Sequence, residues 1–199
     1  VGFILYLIIG QDYHKNKTFK AKEIEGELKY AVRRQEETIY HRQLKMTSPA
    51  LNRFRDLVLY NLEAGQAVLT DNNDIRIYTD GKEKFHALIE EMKRAKKYIH
   101  VQYYIIRNDE VWQDIEKVLI EKAHEGVEVR VLFDSMGCRT MHKRDWDRLK
   151  REGIRVAEFF PAILGQLQMR VNYRNHRKIV VIDGKVGFVG GFNVGREYI

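Results

Sequence analysis

Apolar and polar positions follow different rhythms along the chain, and the changes of rhythm divide it. Residues 1–10 (VGFILYLIIG) carry no charge. A membrane-spanning helix needs ~20 apolar residues, so this run reads as the last part of such a helix, its start cut away; a buried strand is the competing reading. No small-residue cleavage site follows it. Lys15, Lys17, Lys20 and Lys22 follow instead, against Asp12 alone. Lysine-rich flanks mark the cytoplasmic side of a spanning helix. Residues 11–47 are mixed in charge and free of proline, which predicts a juxtamembrane linker, helical or flexible. Ser48-Pro49 is a helix-start signal, and Leu51, Phe54, Leu57 and Val58 give it a 3.6-residue stripe. Residues 11–70 thus read as linker and helix, and residues 71–199 as a compact domain.

Within that domain strand-like and helix-like patterns alternate. Residues 75–78 predict a short strand. Asp80 is placed to cap a helix with Glu83 three positions on, and Phe85, Leu88, Ile89 and Met92 form its buried face. Residues 98–106 (YIHVQYYII) are apolar on both faces and read as a central strand. Asn108 or Asp109 starts a helix through Val111, Ile115, Val118 and Leu119 that Gly126 ends. Residues 127–133 are the next strand. A helix carrying Trp146 and Leu149 ends at Gly153, and residues 154–160 follow as a strand. The order predicts an α/β sandwich, a mixed β-sheet flanked by helices on both faces. Residues 161–168 (PAILGQLQ) are apolar, either a buried loop or a lipid-facing lip beside the site.

Composition narrows the functional classes. The 199 residues carry 35 Lys+Arg against 28 Asp+Glu, a net +7. The charge permits an anionic partner, nucleic acid or membrane, and is equally compatible with ordinary solubility. The one cysteine, Cys138, excludes an intramolecular disulfide framework and any multi-cysteine metal cluster. No activating pattern surrounds it.

The chemistry is concentrated in residues 175–195 (NHRKIVVIDGKVGFVGGFNVG). His176 and Lys178 are two apart and on a strand share a face. Residues 179–182 are a buried strand core, and Asp183-Gly184 favours a two-residue hairpin turn. That turn pairs Ile182 with Lys185, sets His176 opposite Gly191 and Lys178 opposite Val189, and gathers Asn193 onto the same face. Glycine opposite the histidine allows a ligand to approach the backbone closely. A one-residue slip would undo this. A neutral imidazole can attack phosphorus or transfer protons; an ammonium and an amide can stabilise phosphate oxygens. The motif holds no acidic cluster suited to a divalent metal, and no cofactor is expected. Asp183, seven residues from His176, points by geometry to the other face, as a turn residue or an indirect support.

His176-x-Lys178, four residues, Asp183, six residues, then Gly190-Gly191-x-Asn193 resembles the HKD motif of the phospholipase D superfamily. With TDGKEKFHALIEEMKRAKKYIHVQYYIIRND and GVEVRVLFDSMG, it resembles the first catalytic half of bacterial cardiolipin synthases, over most of residues 50–199. The resemblance implies a fold of two similar halves, each with one motif, meeting at one active site. It implies a phosphohistidine intermediate, with His176 one of the two catalytic histidines, Lys178 and Asn193 at phosphate-binding positions, and Asp183 among the active-site residues. Gly190 and Gly191 are the close-approach glycines. Phosphatidylglycerol is the implied substrate, giving cardiolipin and glycerol at the cell membrane. No other histidine here is followed by lysine two residues on, so the second half-site must come from a missing C-terminal part or from another protomer. These residues alone are expected to be inactive or weakly active. The competing readings are a phospholipase D-like hydrolase or nuclease, some of which pair as dimers with one motif each, and a non-catalytic surface docking on anionic lipid. No aromatic residues are interleaved in a basic stripe as single-stranded nucleic-acid binding favours, so no nucleic acid partner is expected. His100, inside an apolar strand, is read as a satisfied core residue. Tyr103 and Tyr104 are read as core or pocket-lining, and Asp134 either as a site residue at a strand's C-terminal end or as a helix cap.

Overall fold

The computed structural model describes residues 22–40, 53–70, 73–159 and 174–199. The apolar start, the Ser48-Pro49 helix start and residues 161–168 lie outside them. Among the described residues no helix is long and apolar enough to cross a membrane. The chain divides into two units, Val1–Arg76 and Ile77–Ile199.

In the first unit, α1 (Lys22–Tyr40) and α2 (Arg55–Gly65) share a small core. Val32 and Ile39, two helical turns apart, are buried with Leu62, and Val58, Leu59 and Val68 pack on them. The Gln35 amide donates to the Leu69 carbonyl (2.8 Å) and accepts from the Leu69 N–H (2.7 Å). The expected stripe on α2 is only partly correct. Phe54 and Leu57 are exposed, because the face turned to α1 is that of Val58, Leu59 and Leu62.

The second unit comprises α3 (Gly81–Arg94), β1 (Tyr98–Tyr103), α4 (Glu110–His124), β2 (Glu128–Asp134), α5 (Lys143–Arg151), β3 (Arg155–Phe159), β4 (Ile179–Ile182) and β5 (Val186–Val189). Asp80 caps α3, its Oδ1 accepting from the Glu83 N–H at 2.9 Å. Asp109 caps α4 through Val111 and Trp112 N–H. The sheet order is β3-β2-β1-β4-β5. β1–β2 and β2–β3 are parallel, β1–β4 and β4–β5 antiparallel, so the mixed sheet is borne out.

The strand expected over residues 75–78 does not form. Ile75 and Ile77 are 79% and 83% exposed, and no ladder partner lies beside them among the described residues. A run of alternating apolar residues has nothing to hold it as a strand without cross-strand pairs.

Alternation along the strands fixes where the core sits. Ile99, Val101 and Tyr103 of β1, Val129, Val131 and Phe133 of β2, and Val180 and Ile182 of β4 are buried on one face. There they meet Phe85, Leu88 and Met92 of α3 and Trp112, Ile115 and Leu119 of α4. Trp146 of α5 stacks on Phe133 at 3.9 Å. Fully burying a large apolar side chain stabilises by roughly 1.5–3 kcal/mol, so this face carries the unit's stability. The three described α-helices of this unit pack on it. The opposite face holds a polar network. His100 Nε2 lies 3.2 Å from Glu128 Oε1, and Arg130 and Arg155 pair with the same carboxylate. His100 is therefore satisfied, as expected, but half-exposed rather than in the core.

The β4–β5 hairpin differs from expectation by one residue. Ile182 pairs with Val186 and Ile179 with Val189. Asp183 and Gly184 take φ of 54° and 67°, and the Lys185 N–H closes on the Ile182 carbonyl at 3.0 Å. The expected tight turn is present, but Lys185 is an extra residue that bulges out of the ladder. The sequence shows the turn but not the bulge.

Candidate active site

β4 runs antiparallel to β1, so the residues before β4 arrive at the C-terminal end of β1. The approach is fixed by Asp134, the last residue of β2, whose carboxylate is fully buried. Its Oδ2 accepts from the Asn175 N–H at 3.1 Å, its Oδ1 accepts from Met136 N–H at 2.9 Å, and Arg174 lies 3.8 Å from it. Asp134, at the strand's C-terminal end, ties the turn after β2 to the segment carrying His176.

His176 is exposed. Its ring stacks on Tyr104, centroids 3.8 Å apart and planes 19° from parallel. Lys178 Nζ donates to the His176 carbonyl at 2.6 Å and lies 5.3 Å from the centre of the same Tyr104 ring. The structure therefore brings His176 and Lys178 together, as the two-residue spacing implied. Partial burial lowers the Lys178 pKa from its ordinary value.

Asn193 arrives by another route. The ladder ends at Val189, so hairpin register does not place it. Its amide is buried; Oδ1 accepts from the Ile105 N–H at 3.1 Å and Nδ2 donates to the Tyr198 hydroxyl at 2.7 Å. One N–H remains. Gly190 lies opposite Lys178, its N–H 3.4 Å from the Lys178 carbonyl. A Cβ built on Gly190 or Gly191 would meet nothing within 4 Å. The backbone beside the histidine is open, although the shifted register puts Phe192, not Gly191, in line with His176.

Asp183 lies at the far end of β4, five residues and about 16 Å of extended chain away from the lysine. Its Oδ1 accepts from Lys97 N–H (2.8 Å) and Tyr98 N–H (2.9 Å), and its Oδ2 from Lys96 N–H (2.8 Å). These bonds, Tyr98's foremost, hold its carboxyl below the usual aspartate range. The odd offset along the strand indicated this support position.

Two residues take places that the sequence reading did not foresee, Tyr104 beside His176 and Lys84 on the core side of the sheet, away from the site. Tyr104 was read only as core or pocket-lining, inside a strand expected over residues 98–106; the strand ends at Tyr103, and Tyr104 lies just past it. Lys84, hidden in the polar-looking run GKEK, is buried against Phe85 and Tyr103 and donates to the Tyr103 hydroxyl at 2.7 Å. Burial pushes its pKa down to about 7. Among the described residues no cluster of three or more His, Cys, Asp or Glu could hold a metal ion. Cys138 is buried and its thiol pushed up to about 12, chiefly by desolvation.

Fold and site together define an α/β domain that presents an imidazole and an ammonium at the C-terminal edge of a mixed sheet. Residues 88–199 match the family model described as cardiolipin synthase, PLD-like domain. The chain belongs to that family. It is 44% identical over 200 residues to a cardiolipin synthase of Oceanobacillus iheyensis and to cardiolipin synthase 2 of Staphylococcus epidermidis. All of this chain is covered in both, against 42% and 41% of the relatives, so it spans less than half their length. Among solved structures it is similar to NucT from Helicobacter pylori (TM-score 0.44, 16% identity, 59% of this chain and 70% of that one). It is also similar to Nuc from Salmonella typhimurium, a phospholipase D family member (TM-score 0.42, 19% identity, 57% of this chain and 66% of that one).

Proposed function

We propose that the chain is the first catalytic half of a longer phosphatidyltransferase that joins two phosphatidylglycerols into cardiolipin and glycerol. The observation that carries this reading is the exposed His176 ring with the Lys178 ammonium beside it. In the proposed reaction a His176 ring nitrogen attacks the phosphorus of one phosphatidylglycerol. The N–P bond forms as the bond to the headgroup glycerol oxygen breaks, and that glycerol leaves with a proton from a second histidine. The headgroup hydroxyl of a second phosphatidylglycerol, giving its proton back to that base, then attacks phosphorus and releases His176. Lys178 neutralises charge on the non-bridging oxygens, and the remaining Asn193 N–H is the candidate for a second donor. Asp183 acts from a distance, by fixing the hairpin.

The second histidine belongs to a part outside these residues, either the rest of the longer chain or another protomer. The relatives' greater length supports the first source. The apolar start and the lysines after it support a membrane anchor with the catalytic domain on the cytoplasmic side.

The test uses the full-length protein in phosphatidylglycerol vesicles with EDTA, beside a His176→Ala variant. Mass spectrometry follows cardiolipin and glycerol. Cardiolipin made only with His176 intact supports the transferase and its independence of metal. Phosphatidic acid plus glycerol would replace it with a hydrolase, and cleaved DNA without a lipid product with a nuclease.

A further inference from the structure

Catalytic imidazoles are commonly oriented by a hydrogen bond to the ring nitrogen that does not react. Among the described residues neither nitrogen of His176 makes one; the ring's contact is the face of Tyr104. The platform beneath it is held from two sides. On one side the turn after β2 closes on the Tyr104 backbone: a Cβ at Gly137 would collide with the Tyr104 carbonyl oxygen, and Cys138 Sγ lies 3.6 Å from it. Ile106 N–H donates to the same sulfur at 3.2 Å. On the other side Ile105 N–H donates to Asn193 Oδ1, the Val194 N–H donates to the Ile105 carbonyl at 3.1 Å, and Arg107 N–H donates to the Val194 carbonyl at 2.9 Å. An exposed tyrosine on a loose loop would average over rotamers; this one leaves the sheet on a backbone clamped between two segments.

We propose that Tyr104 is a positioning residue: its ring is the platform that sets the orientation of the His176 imidazole and holds the Lys178 ammonium beside it. The inference rests on the phosphohistidine reading above. Stacking covers one face of the imidazole and leaves the nitrogens on the free edge, where an attacking lone pair must point. The ammonium, 5.3 Å from the same ring centre, lies within the ~6 Å reach of a cation–π contact. One aromatic ring thereby fixes nucleophile and charge stabiliser relative to each other.

The test compares Tyr104→Phe, Tyr104→Leu and Gly137→Ala in the full-length protein, with melting temperature as the folding control. In protein labelled with ¹³C-histidine, loss of the aromatic platform should move the His176 ring protons downfield, because a proton over a ring face is shielded. Turnover of phosphatidylglycerol should fall in kcat by ~10–100-fold for Tyr104→Leu with KM nearly unchanged, as displacement of a reacting group produces. Tyr104→Phe should retain both the shift and kcat. Gly137→Ala should reproduce the Leu pattern more weakly, since it displaces the platform without touching the ring. Unmoved His176 resonances in Tyr104→Leu would overturn the stack. Moved resonances with an unchanged kcat, or a loss confined to KM, would overturn the positioning role. If His176→Ala keeps full turnover, the phosphohistidine reading fails, and the chemical shifts still decide the stack by themselves.

Discussion

The two ends of the motif hairpin are built on opposite terms. At the turn, Asp183 is tied down: three backbone N–H groups, from Lys96, Lys97 and Tyr98, fix both carboxylate oxygens. At the other end, the His176 ring is exposed and makes no hydrogen bond among the described residues. One short motif therefore holds a foot and a head. The foot's carboxylate is committed to backbone, and the head's ring meets only a ring face among the described residues. Bonds already made give rigidity, and groups left unbonded give reactivity, so one motif needs both at separate ends.

The largest expected effects break the head alone. His176→Ala should cut cardiolipin formation ~10³-fold or more while the melting temperature stays put, since loss of the proposed nucleophile would remove the covalent route. Lys178→Met should cost ~10²–10³-fold, the range for losing one charge-stabilising donor. A parallel fall in melting temperature in either variant would mean that the head also bears load, and the division would fail.

Breaking the foot should do the reverse. Asp183→Ala leaves three N–H groups without an acceptor, and thermal unfolding should begin at a lower temperature. Turnover should fall only as far as the hairpin loosens. The pH dependence is specific. Its carboxyl titrates lower in the folded chain than in the unfolded one, so its contribution is fully present above an ordinary aspartate pKa of ~3.9 and vanishes as pH drops through the folded value. Melting temperatures measured from pH 6 down to pH 2 should therefore fall less steeply for Asp183→Ala than for the parent. Equal slopes would show that the carboxylate contributes nothing through its charge.

Both ends were visible in the sequence, to different degrees. The two-residue spacing of His176 and Lys178 is a local property of an extended chain, and the pair came out together. The odd offset of Asp183 likewise sent it to a support position. The register failed because Lys185 bulges, and a bulge adds a residue without changing the turn signal Asp183-Gly184. Asn193 lies beyond the ladder, so its partners, Ile105 and Tyr198, follow from tertiary packing. Asp134 was legible as a residue at a strand's C-terminal end and Tyr104 as a core or pocket-lining residue within a strand; what they touch was not. The exposed Ile75 and Ile77 show the converse failure, a strand pattern with no partner strand among the described residues.

A second lysine sharpens the comparison. Lys84 is more deeply buried than Lys178, yet sits on the core side of β1 with the Tyr103 hydroxyl as its polar partner. If burial alone made a lysine catalytic, Lys84 would qualify better. Lys84→Met should leave turnover unchanged and stabilise the fold. Between pH ~7 and an ordinary lysine value near 10.5, the unfolded chain holds a proton that the folded chain lacks, so parent stability rises with pH across that window. Below pH 7 the penalty of the buried ammonium is complete. The variant's advantage, roughly 1–3 kcal/mol after allowing for an unpaired tyrosine hydroxyl, should be greatest there and shrink toward pH 10. Denaturant unfolding at pH 6.5 and 9.5 measures it, and an advantage independent of pH would mean that the amine keeps its proton in the folded chain as it does in the unfolded one.

The smallest effect tests whether the open backbone beside the head is used. Neither Gly190 nor Gly191 adopts a positive φ, and a Cβ on either meets nothing within 4 Å. No described contact demands glycine there, so alanine at either position should shift stability by no more than ~0.5 kcal/mol. A ligand would demand it, because a phosphate laid against the strand where Gly190 faces Lys178 would meet the added methyl. The expected outcome for Gly190→Ala is an unchanged melting temperature and a KM for phosphatidylglycerol raised several-fold, since one misplaced methyl weakens binding by ~1–3 kcal/mol at most. An unchanged KM would place the substrate on the far side of the imidazole, away from β5, and leave Gly190 as a residue of the strand alone.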